Sequence, residues 1–137
     1  MPPALEPIVA VIADLTQRIR TYDRAVEQRC NGQYPQTRLL QQVTGVGPLT
    51  ALAFVLCIDD PARFRNSRTV GSYLGLRPKR DQSGAIDRQL RITKAGDSYV
   101  RQLLVGSAHY ILGPFGPDCD LRRFGIRLTE RGGAAAK

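Results

Sequence analysis

The chain has 137 residues, with 20 Lys and Arg against 12 Asp and Glu, a formal net charge of +8 and a pI near 10.0. That is enough for one domain with its own core plus an appendage, and the basic surplus favours a polyanionic partner. Three scattered cysteines (Cys30, Cys57, Cys119) and one histidine (His109) argue against a disulfide framework or a zinc site. With no leader pattern and no apolar run long enough to span a bilayer, a cytoplasmic protein with no membrane partner is expected.

Leu5, Ile8, Ile12, Leu15, Ile19, Tyr22 and Val26 recur three and four residues apart, the seam of a coiled coil over about three heptads. Such a stripe needs a cover: the chain's own domain, a return helix or a second copy, the last predicting a homo-oligomer. Asn31-Gly32-Gln33-Tyr34-Pro35 ends this helix in a turn. A short helix from Gln36 then carries Leu39, Leu40 and Val43 to Thr44-Gly45-Val46-Gly47, and Pro48 opens a second helix that Asp59-Asp60-Pro61 stops. Another short helix is predicted over Ser67–Leu74, ending at Gly75. Ile86, Arg88, Leu90 and Ile92 alternate with polar residues as in a strand, with Leu76–Lys79 as the expected partner and Ser83 at the tip or shoulder of the hairpin. Asp97 is the expected N-cap of an amphipathic helix through Val100, Leu103, Leu104, Ala108 and Ile111. Beyond Gly113-Pro114-Phe115-Gly116-Pro117 an irregular basic tail is expected, closing in Gly132-Gly133-Ala134-Ala135-Ala136-Lys137, a helix begun and cut short.

Two stretches bear on chemistry. Leu40 to Ala51 has helix-hairpin-helix form: Gly45 and Gly47 permit a tight turn with left-handed backbone angles, and Val46 packs between the helices. Amides at the start of the second helix, including that of Thr50, then face a phosphate, a contact that positions nucleic acid without reading its sequence. A purely structural hairpin is the plainer alternative. In the second stretch, Arg77, Lys79 and Arg80 precede Ser83-Gly84, and Arg88, Arg91 and Lys94 follow. Between Asp60 and Leu104 ten Lys and Arg stand against four Asp, a local surplus of six. A serine beside glycine is ordinarily a turn residue. To attack phosphorus it needs a base or metal to take its proton and cations to hold the developing charge. The cations are present; Asp81 and Asp87 are better explained by the hairpin, so an activating group must lie on another domain or chain.

The order of these features is more specific than any one of them. The helical seam leads to Leu39-Leu40-Gln41-Gln42-Val43-Thr44-Gly45-Val46-Gly47, then Phe64, Tyr73-Leu74-Gly75-Leu76-Arg77-Pro78, Gln82-Ser83-Gly84, Ile92-Thr93-Lys94-Ala95-Gly96 and Arg101-Gln102-Leu103-Leu104. From about Leu5 to Lys137 the chain resembles the C-terminal domain of the transposases of the insertion-sequence one-ten class, the bridge-RNA-guided serine recombinases. The resemblance implies that Ser83 is the catalytic nucleophile, cutting and rejoining DNA through a phosphoserine link. It also implies a structured guide RNA as partner, and Mg2+ on a four-carboxylate domain resembling a Holliday-junction resolvase. That domain, expected ahead of the coiled coil, and a final basic helix expected after Lys137 are absent from this sequence. A fragment, or a chain acting beside a separate acidic one, and inactive alone, is therefore expected.

The fold expected is mainly α: a coiled-coil helix and turn (1–34), a helix-hairpin-helix transposase domain with the serine loop (35–113) and an irregular basic tail (114–137). The sites expected are Ser83 for catalysis, and Gly45, Val46, Gly47, Thr50, Arg77, Lys79, Arg80, Arg88, Arg91 and Lys94 for nucleic acid, with no metal ligands in this chain. The function expected is DNA transposition. The alternatives are a non-enzymatic helix-hairpin-helix module that binds branched DNA or RNA, and a coiled-coil assembly piece with incidental charge.

Overall fold

Pro7 falls in the first turn of a 27-residue helix, α1 (Glu6–Gly32), where its missing N–H leaves no helical hydrogen bond unmade. The computed structural model describes residues 3–84 and 86–132, and their side chains except at 3, 86–89, 131 and 132. At 1.5 Å per residue α1 extends about 40 Å, yet its only buried residue is Cys30, at its last turn. The Cys30 thiol points at the Pro48 carbonyl 3.6 Å away. Ile8, Ile12, Leu15, Ile19 and Tyr22 are each more than half exposed, so the apolar stripe is not covered by the described residues.

After α1 the chain turns through Tyr34 into the short helix α2 (Thr37–Gln41), where the fully buried Thr37 hydroxyl donates to the carbonyls of Tyr34 (2.7 Å) and Cys30 (3.4 Å). Helix α3 (Pro48–Ile58) follows and is apolar nearly all round, which suits a helix with neighbours on several sides. It stops at Asp59, in a left-handed conformation at φ 59°, just ahead of Asp60, which is held extended by the following proline. The Asp60 carboxylate caps the single turn Pro61–Arg63 by accepting the Ala62 N–H. Asn66 caps α4 (Ser67–Tyr73) and Asp97 caps α5 (Ser98–Leu112), the latter accepting the Val100 N–H at 2.8 Å as the sequence predicts.

Between them lies the one sheet among the described residues, an antiparallel pair of β1 (Pro78–Ser83) and β2 (Ile86–Ile92). The first strand is longer and later than the expected Leu76–Lys79. α3 packs against α1, α2 and α5, and the core gathers around it: Cys30, Thr37, Ala51, Leu52, Ile58, Leu74, Val100 and Ile111 are at most 7 % exposed. No helix among the described residues is long and apolar enough to cross a membrane.

The expected irregular tail is in part a helix, α6 (Asp120–Gly132). Arg122 donates to the carbonyls of Ile111 and Gly113, satisfying acceptors at the end of α5, and Gly125 lies against the Leu112 side chain. Of the helix expected to begin over Gly132–Lys137, Gly132 is the last residue of α6 and residues 133–137 lie outside the described residues.

Candidate nucleic-acid interface and serine hairpin

Gly45 has φ 83°, the left-handed value expected of a hairpin glycine. A Cβ there would lie 2.9 Å from Ile111 Cγ1 and 3.2 Å from the Ser107 carbonyl oxygen, so the loop is pressed against α5. Val46 is half-buried and lines a small apolar cavity of about 200 Å³ with Leu40, Val43, Phe54 and Leu104. Two expectations at this hairpin are corrected. Gly47 is extended (φ −84°), not left-handed; it is the N-cap of α3, and its carbonyl accepts the Ala51 N–H at 3.0 Å. Thr50 as a whole residue is only 8 % exposed and lines that apolar cavity, so it offers little surface to a phosphate. What remains toward solvent is the backbone of Gly45-Val46-Gly47, which with Tyr110 outlines a shallow depression, and an α3 start with no side-chain cap.

Ser83 ends β1 and pairs with Ile86 across the turn. Its side chain is exposed, and no hydrogen bond engages its hydroxyl among the described residues. Gly84 beside it has φ 56°, and a Cβ there would meet nothing within 4 Å, so backbone angle and not crowding calls for glycine. Arg80 pairs with Gln89, Asp81 with Arg88, and Gln82 with Asp87, while Pro78 pairs with Ile92. The register slips between the outer pairs, so Lys79 stands opposite two residues, Leu90 and Arg91, in a bulge. The strict alternation read along Ile86–Ile92 breaks there. The bulge brings the Lys79 and Arg91 backbones together, and both side chains are exposed. The Arg88 side chain lies outside the described residues.

The hairpin's root is fixed by contacts that the sequence did not disclose. Gly75 (φ 71°) and Gly96 (φ 78°) cross so closely that a Cβ on either would fall 2.0 Å from the carbonyl oxygen of Ala95 or Tyr73 respectively. The Thr93 N–H donates to the Arg77 carbonyl at 2.9 Å, and the Lys94 N–H to that of Gly75 at 3.0 Å, with Lys94 itself at φ 57°. Arg101, which counts only as charge in the sequence, reaches back from α5 to donate to the carbonyls of Leu74 (3.1 Å) and Ala95 (3.0 Å). A guanidinium that gathers two loop carbonyls leaves no local motif; only the three-dimensional crossing reveals it.

Charges are unevenly compensated. The three ion pairs found among the described residues lie in α1 (Arg18 with Asp14) and around α6 (Arg123 with Asp118 and Asp120). Arg63 stacks over Phe64 and Tyr73, 5.2 and 5.0 Å from their centroids, and the two rings meet edge to face. Arg77, Lys79, Arg80, Arg91 and Lys94 are exposed with no carboxylate at bonding distance among the described residues, so these five cations are not held in ion pairs there. Burial first, and then the Asp97 carboxylate, push the Cys57 thiol up against the opposing pull of Arg63, which keeps it a neutral packing group. Among the described residues no three His, Cys, Asp or Glu side chains gather as a metal site.

These features define a small helical domain that holds out a basic β-hairpin with Ser83 at the end of its first strand. Residues 37–116 match the family described as Transposase IS116/IS110/IS902, and the chain belongs to that family. It is 34% identical over 98 residues to a probable family 20 transposase of Pseudomonas aeruginosa, an alignment covering 72% of this chain and 29% of that protein. It is 33% identical over 95 residues to the transposase for insertion sequence element IS1111A of Coxiella burnetii, covering 69% of this chain and 26% of that one. A pilin gene-inverting protein of Moraxella bovis is 30% identical over 95 residues, with 69% and 29% covered. The chain thus spans less than a third of the length of these relatives.

Proposed function

We propose that this chain is the DNA-handling, serine-bearing part of a transposase, acting in DNA transposition with Ser83 as the nucleophile. The observation that carries this is the Ser83 hydroxyl: exposed at the end of β1 and without a hydrogen bond among the described residues, beside a glycine whose backbone angle forms the turn, with exposed cations along the same strands. Ser83 Oγ attacks a backbone phosphorus, the phosphorus–oxygen bond to the departing strand breaks, and a phosphoserine link holds the other strand. The serine proton passes to a base, and the departing oxygen takes one up; rejoining reverses the exchange with a new strand hydroxyl. Cations at Lys79, Arg80 and Arg91 stabilise the charge that develops on phosphorus. The described residues do not fit the Mg2+ that the family resemblance implies, so that ion and the base belong to carboxylates of another segment or chain. The exposed backbone at Gly45–Gly47 supports a sequence-independent phosphate contact beside α5. Readout of the target by a structured guide RNA, and pairing of two copies through α1, complete the proposal.

The test is a chimera in which residues 37–116 of this chain replace the matching segment of the Pseudomonas relative, assayed for strand transfer and for a denaturant-resistant protein–DNA adduct. Ser83→Ala is expected to leave DNA binding intact and to abolish both adduct and transfer. Undiminished transfer with alanine at 83 would overturn the proposal, and would favour the binding-module alternative.

A further inference from the structure

Gly71 sits inside α4 with no packing reason to be glycine. A Cβ built there meets nothing within 4 Å, and its backbone is helical. Glycine is less stable than alanine in a helix interior, so a bare position in open space calls for another cause. The bare position floors a surface depression of about 510 Å³, with Thr69 and Ser72 beside it and Arg68 and Arg77 on its rim. The neutral polar groups are engaged locally. Asn66 Oδ1 accepts the Thr69 N–H (3.2 Å), Thr69 Oγ1 donates to the Asn66 carbonyl (2.6 Å), and Ser72 Oγ donates to the Arg68 carbonyl (3.4 Å). The two guanidinium groups are not: both residues are exposed, and neither has a carboxylate within bonding distance among the described residues.

Two unpaired arginines around one concavity with no acid raise a local positive potential, and the guanidinium fork matches two oxygens of a phosphate. We propose that this depression binds a phosphodiester of a nucleic-acid backbone through Arg68 and Arg77, with Gly71 kept bare so that the backbone can settle against the helix. The inference rests on the proposal that this chain handles nucleic acid, and adds to it a contact on α4, where neither Arg68 nor Gly71 was expected. Arg77 lies six residues from Ser83. At about 3.3 Å per strand residue that is roughly 20 Å, or about six nucleotides of one duplex strand at 3.4 Å each. The depression therefore holds the backbone at a distance from the reacting phosphorus, a positioning contact indifferent to sequence.

The test measures affinity of the whole chain for a short duplex DNA and for a single-stranded RNA over a series of salt concentrations. Gly71→Glu, which has room for its side chain and places a carboxylate in the depression, is expected to weaken binding about tenfold and to lower the slope of log affinity against log salt by about one. Arg68→Gln with Arg77→Gln is expected to lower the slope by about two, and Gly71→Ala, which puts a methyl where the backbone settles, to weaken binding by less than Gly71→Glu does and to leave the slope unchanged. Circular dichroism confirms that each variant is folded. A loss confined to the duplex assigns the site to DNA, and one confined to the single strand assigns it to RNA. A folded Gly71→Glu variant with the parent's affinity and slope for both would overturn the inference, as would a parent chain that binds neither. The first result leaves the role of Ser83 standing, whereas retained strand transfer in Ser83→Ala would remove that role and leave the depression intact.

Discussion

Gly75 and Gly96 fasten the serine hairpin to the core, and each is intolerant of substitution for two reasons at once. Both have positive φ, and at both a Cβ would fall 2.0 Å from a carbonyl oxygen of the opposing segment. Backbone on both sides leaves nothing flexible to yield. Gly75→Ala or Gly96→Ala is expected to destabilise the fold by more than about 1 kcal/mol, read as a lowered urea midpoint. Arg101 ties the same crossing from α5. Arg101→Met keeps the apolar stem and removes the hydrogen bonds to Leu74 and Ala95, with an expected loss of about 1.5–3 kcal/mol. Arg101→Gln, which retains donors on a shorter arm, is expected to recover part of that loss. Equal stability of Arg101→Met and the parent would show that the clamp contributes nothing.

At the scale of elements, the caps and breakers were the most legible signals. Asp97 and Pro48 mark helix starts through their own backbone chemistry, and Asp59-Asp60-Pro61 and Gly75 mark ends, so α3, α4 and α5 fall close to the expected boundaries. The hairpin was legible from the alternation of β2, but its bulge was not, because register is set between strands and not along one. The nucleophile reading of Ser83 came from the family resemblance, because a serine beside glycine is by itself an ordinary turn residue; the burial of Thr50 was not legible because a residue one turn into a helix can face either way, and the cavity it lines with Phe54 is formed only in the fold. α6 was missed because the Gly113–Pro117 breakers precede it and its support comes from outside: Arg122 on the end of α5, and Arg123 on Asp118. That second contact titrates. The hydrogen bond from Arg123 holds the Asp118 carboxyl below the usual carboxylate range. The folded pKa is depressed, so its contribution is present above the ordinary Asp value near 3.9 and is lost as pH falls through the lower folded value. Amide exchange at Arg123, whose N–H donates to the Cys119 carbonyl, is expected to stay slow down to about pH 4, once the intrinsic pH dependence is removed, and to quicken below it. Asp118→Asn should erase that dependence; an unchanged profile would show that the pair does not hold the start of α6.

Across the whole molecule, the small core and the long uncovered helix are two sides of one fact. Only the last turn of α1 is docked, through Cys30, so about 30 Å of amphipathic helix lies beyond the domain at 1.5 Å per residue. A helix gains most of its stability in a protein from packing, and Ile8, Ile12, Leu15, Ile19 and Tyr22 stay more than half exposed among the described residues. A second α1 would supply one at the spacing of a coiled coil, and would set two basic hairpins, each with a Ser83, on one assembly. Strand exchange between two DNA segments requires paired cleavages, so such pairing would join the proposed chemistry to the apolar stripe that the described residues leave uncovered. Sedimentation is expected to show a species that grows with protein concentration. Ile12→Glu with Ile19→Glu should hold the chain monomeric without lowering the midpoint of the globular part, because neither side chain touches the core. The same pair, placed in a longer chimera that carries residues 5–116 of this chain and so includes α1, is expected to abolish strand transfer while the adduct at Ser83 still forms on a single DNA end. A parent chain that stays monomeric at all concentrations would break that link, and the stripe would then need a cover other than its own copy.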